Sequence, residues 1–264
     1  LSERLDIELV IRTLARSRSQ ASALIAAERV TVNNKLAKKA SLKISPEDKV
    51  EVSAGIDFVS RAGHKLAHAL EVFDVTPSGF CLDAGASTGG FTQVLLENGA
   101  EKVLAVDVGH NQLVDFIRED ERVITMEGQN LRELSVAQLE EASGGVPVTL
   151  VVVDLSFISL TLVAKKLFEL APTAPQIWLI KPQFEVGKHS LSATGVVSSH
   201  AERKRAVEQV LDEARSVGLY CKGLTESPIK GTNGNQEYLA LMKPEKSEYG
   251  FEAQIVEKLF AHHK

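Results

Sequence analysis

The chain has 264 residues, 44% of them hydrophobic, and a formal net charge of −5, which suits one large domain or two unequal ones with a sizeable core. Its two cysteines, Cys81 and Cys221, lie in apolar strand-like contexts, so neither a disulfide framework nor a metal site is expected, and a reducing cytoplasm fits. The longest apolar run, Leu150 to Val163, contains Asp154, Ser156, Ser159 and Thr161 and is too short and too polar to span a bilayer; no cleavable leader pattern opens the chain.

Residues 1–55 read as a separate small module. Leu9, Ile11 and Leu14 give a helical pattern after Arg4-Leu5-Asp6. Ser17-Arg18-Ser19 opens a second helix with Ala21, Leu24 and Ile25 on one face, ending near Arg29. Short strands follow at Val30–Val32 and Lys49–Val52, with turns at Asn33-Asn34-Lys35 and Pro46-Glu47-Asp48. The negative net charge argues weakly against nucleic acid, but it hides an asymmetry. Between Leu9 and Lys43 stand Arg12, Arg16, Arg18, Arg29, Lys35, Lys38, Lys39 and Lys43 against a single anion, Glu28. Phosphate binding is a property of such a patch, not of the total.

Arg4-Leu5-Asp6, Ser17-Arg18, Ala21, Leu24-Ile25, Val30-x-Val32-Asn33 and Lys39 occur in an order that resembles the RNA-binding domain first described in ribosomal small-subunit protein four. Glu28-Arg29 stands where that domain more often has glycine, and Asn34 replaces the glycine after Asn33. The resemblance implies RNA contacts from Arg4, Arg16, Arg18, Arg29 and Lys39. Without it, the module is a small surface domain with a solvated basic face.

Residues 56–64 read as a linker, and residues 65–264 as a second domain. Ser60-Arg61-x-Gly63-x-Lys65-Leu66 leads into a helix carrying Leu66, Ala69, Leu70 and Phe73; taken alone, Arg61 and Lys65 are solubilising charges at a helix start. Phe80–Ala84 is a buried strand, followed by a glycine turn, Gly85–Gly90, and a helix from Phe91. No Lys follows the turn, which excludes a phosphate loop, and Ser87 stands where a dinucleotide fingerprint has its middle glycine. The turn is similar instead to the first motif of S-adenosylmethionine-dependent methyltransferases; the bland alternative is an ordinary strand-to-helix turn. Asp83, Gly85, Ser87, Gly89, Gly90 and Phe91 are its candidate cofactor residues.

Further strands are expected at Val103–Asp107, Val123–Met126, Leu150–Asp154 and Ile177–Lys181. Asp107, about twenty residues past the turn, suits ribose hydroxyls, and Gln129 and Asn130 suit an adenine edge. Residues 187–199 read as a lid-like loop, Glu202–Val217 as an amphipathic helix, and Leu219–Leu224 with Gln236–Met242 as a closing strand pair around a turn at 231–235. The tail, Phe251–His263, is a helix whose final histidines are solvated.

Asp83, Asp107, Asp154 and Lys181 each end an apolar strand. In a parallel sheet the carboxyl ends form the rim where ligands bind, so these groups are expected to share a cleft. A lysine among acids there has no obvious folding role. The expected fold class is α/β: a Rossmann-like, doubly wound, mostly parallel sheet with one antiparallel strand, preceded by the small α+β module.

Ser60-Arg61-x-Gly63-x-Lys65-Leu66, the Asp83 turn, Asp154-Leu155-Ser156-Phe157, Lys181-Pro182-Gln183-Phe184-Glu185 and Asn235-x-Glu237-Tyr238 occur in this order. With the amino-terminal module, they resemble the TlyA proteins, long labelled haemolysin A, which join an S-four-like domain to an FtsJ-like rRNA 2′-O-ribose methyltransferase domain. The resemblance implies S-adenosyl-L-methionine as cofactor, with Asp154 also near it, and cytidine ribose in rRNA of ribosomal subunits as substrate. It places a catalytic Lys-Asp-Lys-Glu tetrad on Lys65, Asp154, Lys181 and Glu237. Ile56-Asp57-Phe58-Val59 departs from the family's Arg-x-Trp linker.

The chemistry agrees. A 2′-hydroxyl must lose its proton as it attacks a sulfonium methyl, and Lys181 with Lys65 beside it is the expected base. Lysine is ordinarily protonated, with a pKa of about 10.4. A second lysine and burial favour the neutral form, whereas Asp154 and Glu237 oppose it and suit an orienting role. The Asp/Asn-Pro-Pro-aromatic run of amino-group methylation is missing, and neither cysteine suits C5 methylation. Two rivals remain: a non-catalytic RNA-binding assembly factor, and a membrane-active haemolysin, which lacks a strongly amphipathic basic helix.

Overall fold

The computed structural model describes residues 2–15, 18–26, 29–52 and 58–261. The chain divides into two compact units, Leu1–Asp57 and Phe58–Lys264.

The smaller unit runs β1 (Glu3–Arg4), α1 (Leu5–Ile11), α2 (Arg18–Ala26), β2 (Val30–Val32), β3 (Lys35–Leu36), β4 (Lys43–Ile44) and β5 (Val50–Val52). β3, β2 and β5 form one antiparallel sheet, and β1 pairs with β4. Leu5, Leu9, Ala21, Leu24, Ile25, Val30, Ile44 and Val50 make its core. The two-residue strands β1, β3 and β4 were invisible to periodicity, which needs four or more residues to register. Asn33 and Asn34 both take positive φ at the β2–β3 turn, so asparagine replaces glycine there without losing the geometry.

The larger unit opens with α3 (Arg61–Phe73), which begins inside the stretch read as linker. There follow β6 (Phe80–Ala84), α4 (Gly90–Glu97), β7 (Lys102–Asp107), α5 (Asp115–Arg118), β8 (Val123–Glu127), α6 (Val136–Ser143), β9 (Val148–Val153), α7 (Ala164–Leu170), β10 (Gln176–Ile180), α8 (Pro182–Glu185), α9 (His200–Ser216), β11 (Tyr220–Glu226), β12 (Tyr238–Lys243) and α10 (Phe251–Ala261). His262 and His263 lie outside the described residues. The seven-stranded sheet has the order β11-β12-β10-β9-β6-β7-β8. Only β12 runs against the rest, as the expected fold class requires.

Both faces of this sheet are covered, which is why β6, β9 and β10 read as near-continuous apolar runs. Leu82, Val151, Val153, Trp178 and Ile180 face one core, with Val207, Val210 and Phe260 from the covering helices. Cys81, Val152, Ile177 and Leu179 face the other, with Leu66 and Leu70 of α3 and Phe91, Val94 and Leu95 of α4. Leu66 is fully buried, so replacing it with Ala should cost about 2–5 kcal/mol. The chain passes from β6 outward to β7 and β8, then returns to lay β9 on β6's other side. That reversal opens a crevice beyond the carboxyl ends of β6 and β9.

Candidate active site

The crevice holds a cavity of about 270 Å³. Its wall combines backbone from the glycine turn with side chains from α3, the ends of β9 and β10, and the segment before β12. Gly85 follows β6 directly and has φ +99°; a Cβ there would stand 2.5 Å from the Asp154 carbonyl oxygen. The turn and the end of β9 interlock because this residue has no side chain. Asp154 N–H also donates to the Ala84 carbonyl at 2.9 Å.

Two lysine–carboxylate pairs face the cavity. Lys65, in the second turn of α3, donates from Nζ to Glu237 Oε2 at 2.5 Å. Lys181, the residue before α8, places Nζ 2.6 Å from Asp154 Oδ1 and donates to Ser156 Oγ at 2.9 Å. Lys65 is 7% exposed, Lys181 8% and Glu237 2%, so each charge is nearly removed from water. Burial at this level is tolerable only because every charge has a partner at contact distance. The reading of Lys65 as a solubilising helix-start charge is therefore corrected: it projects into the core side of α3. Arg61, one turn earlier, is exposed at the cavity edge, as that reading supposed.

Glu237 is further held by Gln183, whose Nε2 donates to Oε1 at 3.0 Å. A Cβ at Gly231 would lie 2.0 Å from the same Oε1, so the backbone presses directly on the carboxylate. Because β12 runs antiparallel, its beginning rather than its end reaches the rim. That is how a residue preceding a strand joins residues that follow strands.

Of the expected cofactor residues, Gly85, Ser87, Phe91 and Asp154 line the cavity. Gly89 and Gly90 form the start of α4. Asp83 lies fully buried beneath the turn, where Thr92 Oγ1 donates to its Oδ2 at 2.6 Å. Burial pushes its carboxyl up to about 7, with the Asp154 and Asp107 charges adding to the rise and Thr92 opposing it. Its Oδ1 is buried without a hydrogen-bond partner. Asp107 accepts the Ser87 N–H at 2.9 Å and the Gly109 N–H at 2.7 Å, which ties the turn to the end of β7. Asn130 caps a short 3-10 turn by accepting the Arg132 N–H, and Gln129 Nε2 donates to the Asn130 carbonyl. Neither lines this cavity.

Sequence reasoning gave no role in the site to Ser156, Gln183, Gly231 or the cavity-edge Arg61. The signal was present, since Ser156 and Gln183 sit inside motifs quoted for their neighbours. Phe157, beside Ser156, has φ +64° and is 90% exposed, with its ring 5.2 Å from that of Phe184. Glu185 Oε2 accepts the Ser159 hydroxyl at 2.5 Å and Oε1 accepts the Leu160 N–H at 2.9 Å; burial raises its carboxyl above its usual value. Cys81 and Cys221 are buried thiols pushed up to about 11 and about 12 by desolvation, which removes them as nucleophiles. The loop 187–199 is pinned rather than loose: Asn235 accepts the Val197 N–H and donates to the Gly195 carbonyl, both at 3.0 Å.

In the smaller unit, Arg4 donates to Asp6 through two nitrogens at 2.8 and 3.0 Å, and Arg18 reaches the same carboxylate at 3.0 Å. Arg12 is bound to Glu8 and to the Asp48 and Ser45 carbonyls, so it is a structural strut rather than a free cation. Lys35, Lys38 and Lys39 are exposed, and Arg29 is half-buried. Arg16 lies outside the described residues.

Comparison with known proteins supplies the family. The FtsJ-like methyltransferase family matches residues 58–243, and the S4 domain family matches residues 3–50. The chain belongs to the FtsJ-like methyltransferase family. It is 45% identical over 244 residues to the 16S/23S rRNA (cytidine-2′-O)-methyltransferase TlyA of Mycobacterium tuberculosis, covering 91% of this chain and 89% of that one. It is 39% identical to Hemolysin A of Brachyspira hyodysenteriae, covering 90% of this chain and 98% of that protein. A solved structure from Streptococcus thermophilus, named a hemolysin, superposes with a TM-score of 0.74 at 34% identity, covering 98% and 94% of the two chains. The expected kinship with the TlyA proteins therefore holds over nearly the whole chain.

Proposed function

We propose that this protein methylates the 2′-hydroxyl of a cytidine ribose in ribosomal RNA, using S-adenosyl-L-methionine, in the cytoplasm. The observation that carries the reading is the pair of buried lysine–carboxylate contacts, Lys65–Glu237 and Lys181–Asp154, lining one cavity beside the glycine turn. The rRNA and its cytidine rest on the named relatives.

The donor set suits the cofactor. Asp107 already accepts two amide protons but has lone pairs left for ribose hydroxyls. The Asp83 carboxyl, with one buried oxygen lacking a partner, lies beneath the turn where a cationic ligand would bind, and such a cation would favour its ionised form. Gly85, Ser87 and Phe91 would line its site, with Asp107, Gln129 and Asn130 toward the adenosyl end. When bound, S-adenosylmethionine supplies an electrophilic methyl group on sulfur.

The chain's own part is to place and deprotonate the hydroxyl. Lys181 accepts the hydroxyl proton after its own Nζ has released one to solvent, so that the neutral amine is the base, and Asp154 Oδ1 with Ser156 Oγ fixes the position of that nitrogen. Lys65, held by Glu237, supplies the positive charge of the cavity and stabilises the developing alkoxide. Arg61, exposed at the cavity edge and in no ion pair among the described residues, faces the phosphate next to the target ribose. The exposed Phe157 ring offers a surface on which an unstacked base can rest. Arg4, Arg16, Arg18, Arg29 and Lys39 are the proposed RNA contacts of the smaller unit.

The test offers unmodified ribosomal subunits, separately and together, with labelled S-adenosylmethionine. Label in the RNA, mapped by a 2′-O-methyl-sensitive primer-extension stop, is the expected result. Cofactor binding with no label in either subunit would overturn the reading.

A further inference from the structure

We infer that Glu185 is a positioning residue, which sets the placement of the target nucleotide by clamping the loop after β9. The inference rests on the methyltransferase reading above and concerns the same site.

The short helix α8 joins the parts of the site. This one-turn helix touches a different part of the site through each side chain around it. Lys181, at its start, reaches Asp154 and Ser156. Gln183 holds Glu237, and Phe184 packs on Phe157. Glu185, at its end, is a half-buried carboxylate that meets no cation among the described residues. It faces instead the two donors that follow Phe157 in sequence, the Ser159 hydroxyl and the Leu160 N–H. A carboxylate taken out of water and satisfied only by neutral donors is costly to keep, so a purely packing role would be met better by an apolar side chain.

What the clamp holds explains its place. Between Asp154 and Ser159 the chain carries Ser156, which fixes Lys181 Nζ, and Phe157, which is held at φ +64° with its ring in solvent. A non-glycine residue in that region needs its neighbours to hold it there. Glu185 fixes the far end of this loop, and the Asp154 N–H bond to Ala84 fixes the near end. Both the orientation of the lysine and the position of the exposed ring then depend on Glu185, although it is not among the residues lining the cavity.

The chemistry predicts which substitution is tolerated. In Glu185→Gln, the amide oxygen accepts from Leu160 N–H and the amide nitrogen donates to Ser159 Oγ. The Ser159 hydroxyl proton then turns to Thr161 Oγ1, 2.6 Å away. Glu185→Ala removes both bonds.

The test uses the full chain with amide hydrogen exchange, cofactor titration and methylation kinetics on unmodified ribosomal subunits. Expected for Glu185→Ala is faster exchange confined to residues 155–161, an unchanged dissociation constant for S-adenosylmethionine, and a loss in kcat/KM of about 10- to 100-fold, the scale of a small misplacement. Glu185→Gln should keep the exchange protection and stay within about threefold of wild type, since it preserves both hydrogen bonds. Ser159→Ala combined with Glu185→Ala should be no worse than Glu185→Ala alone, because the two act as one unit. Unchanged exchange at 155–161 in Glu185→Ala would overturn the inference, as would cofactor affinity falling in step with turnover, or a Gln variant as damaged as Ala. Exchange reads the clamp without any methyl transfer, so a wild-type chain inactive on both subunits would count against the proposed reaction and leave the clamp decided separately.

Discussion

In the smaller unit, two arginines, Arg4 and Arg18, share a single buried carboxylate, Asp6, and a third, Arg12, binds backbone carbonyls. In the larger unit, Lys65 and Lys181 each have a carboxylate of their own, and both pairs line a cavity. The guanidiniums hold a small core together from its surface, with Arg18's side chain still 62% exposed. The ammoniums are nearly buried, each against its own carboxylate at the cavity wall. A cation's partner and its burial, rather than its count in the sequence, separate scaffold from chemistry.

The comparison breaks first at Lys181. Lys181→Ala should lower kcat by about 10²–10⁴-fold, the range for a lost general base, with cofactor affinity unchanged by calorimetry. Substantial remaining turnover would return Lys181 to the scaffold. Next comes Glu237→Ala, which leaves Lys65 buried beside no carboxylate and should cost about 3–5 kcal/mol in denaturant unfolding. If that variant unfolds like wild type, the pair is looser than its 2.5 Å contact indicates.

How much of the molecule was legible in the sequence follows the same division. The parallel strands were readable because a near-continuous apolar run closed by an acid or a lysine marks a strand buried on both faces that ends at a polar rim. Lys65 was readable only through its motif, since a lysine near a helix start looks the same whether it points to water or inward. Ser156 and Gln183 stand inside motifs but escaped because nothing in a small hydroxyl or an amide says which charge the fold will bring to it. Arg12's place was hidden for a matching reason: the sequence shows its charge but not the carbonyls of Ser45 and Asp48 that bind it.

A smaller effect tests the scaffold side. Arg4 and Arg18 hold the Asp6 carboxyl down at about 2. The unfolded chain's carboxyl protonates near its ordinary value of about 3.9, so the folded form binds fewer protons in between. The stabilisation from this group is fully present above about pH 4 and is lost as pH falls toward 2. Asp6→Asn should flatten that part of the acid-unfolding curve followed by circular dichroism; an unaltered curve would show that the arginines do not hold this carboxylate. Asp83 runs the other way. Its carboxyl at about 7 binds a proton that the unfolded chain has already released, so stability falls as pH rises from about 4 to 7. Asp83→Asn should remove that decline.

The smallest effect belongs to the exposed cations. Lys39→Ala should reduce the salt dependence of RNA binding by about one unit of slope, with a modest loss of affinity. Arg61→Ala should do the same while raising KM for the subunits. No change in either slope would place the RNA path elsewhere on the molecule.

Lys65 and its partner Glu237 are 172 residues apart in the chain. During synthesis, the glycine turn and both lysines are made before the strand that brings Glu237. The lysine's counter-charge is thus among the last parts of the sheet to leave the ribosome, and β12, set between β10 and β11, closes the sheet and neutralises Lys65 in one step.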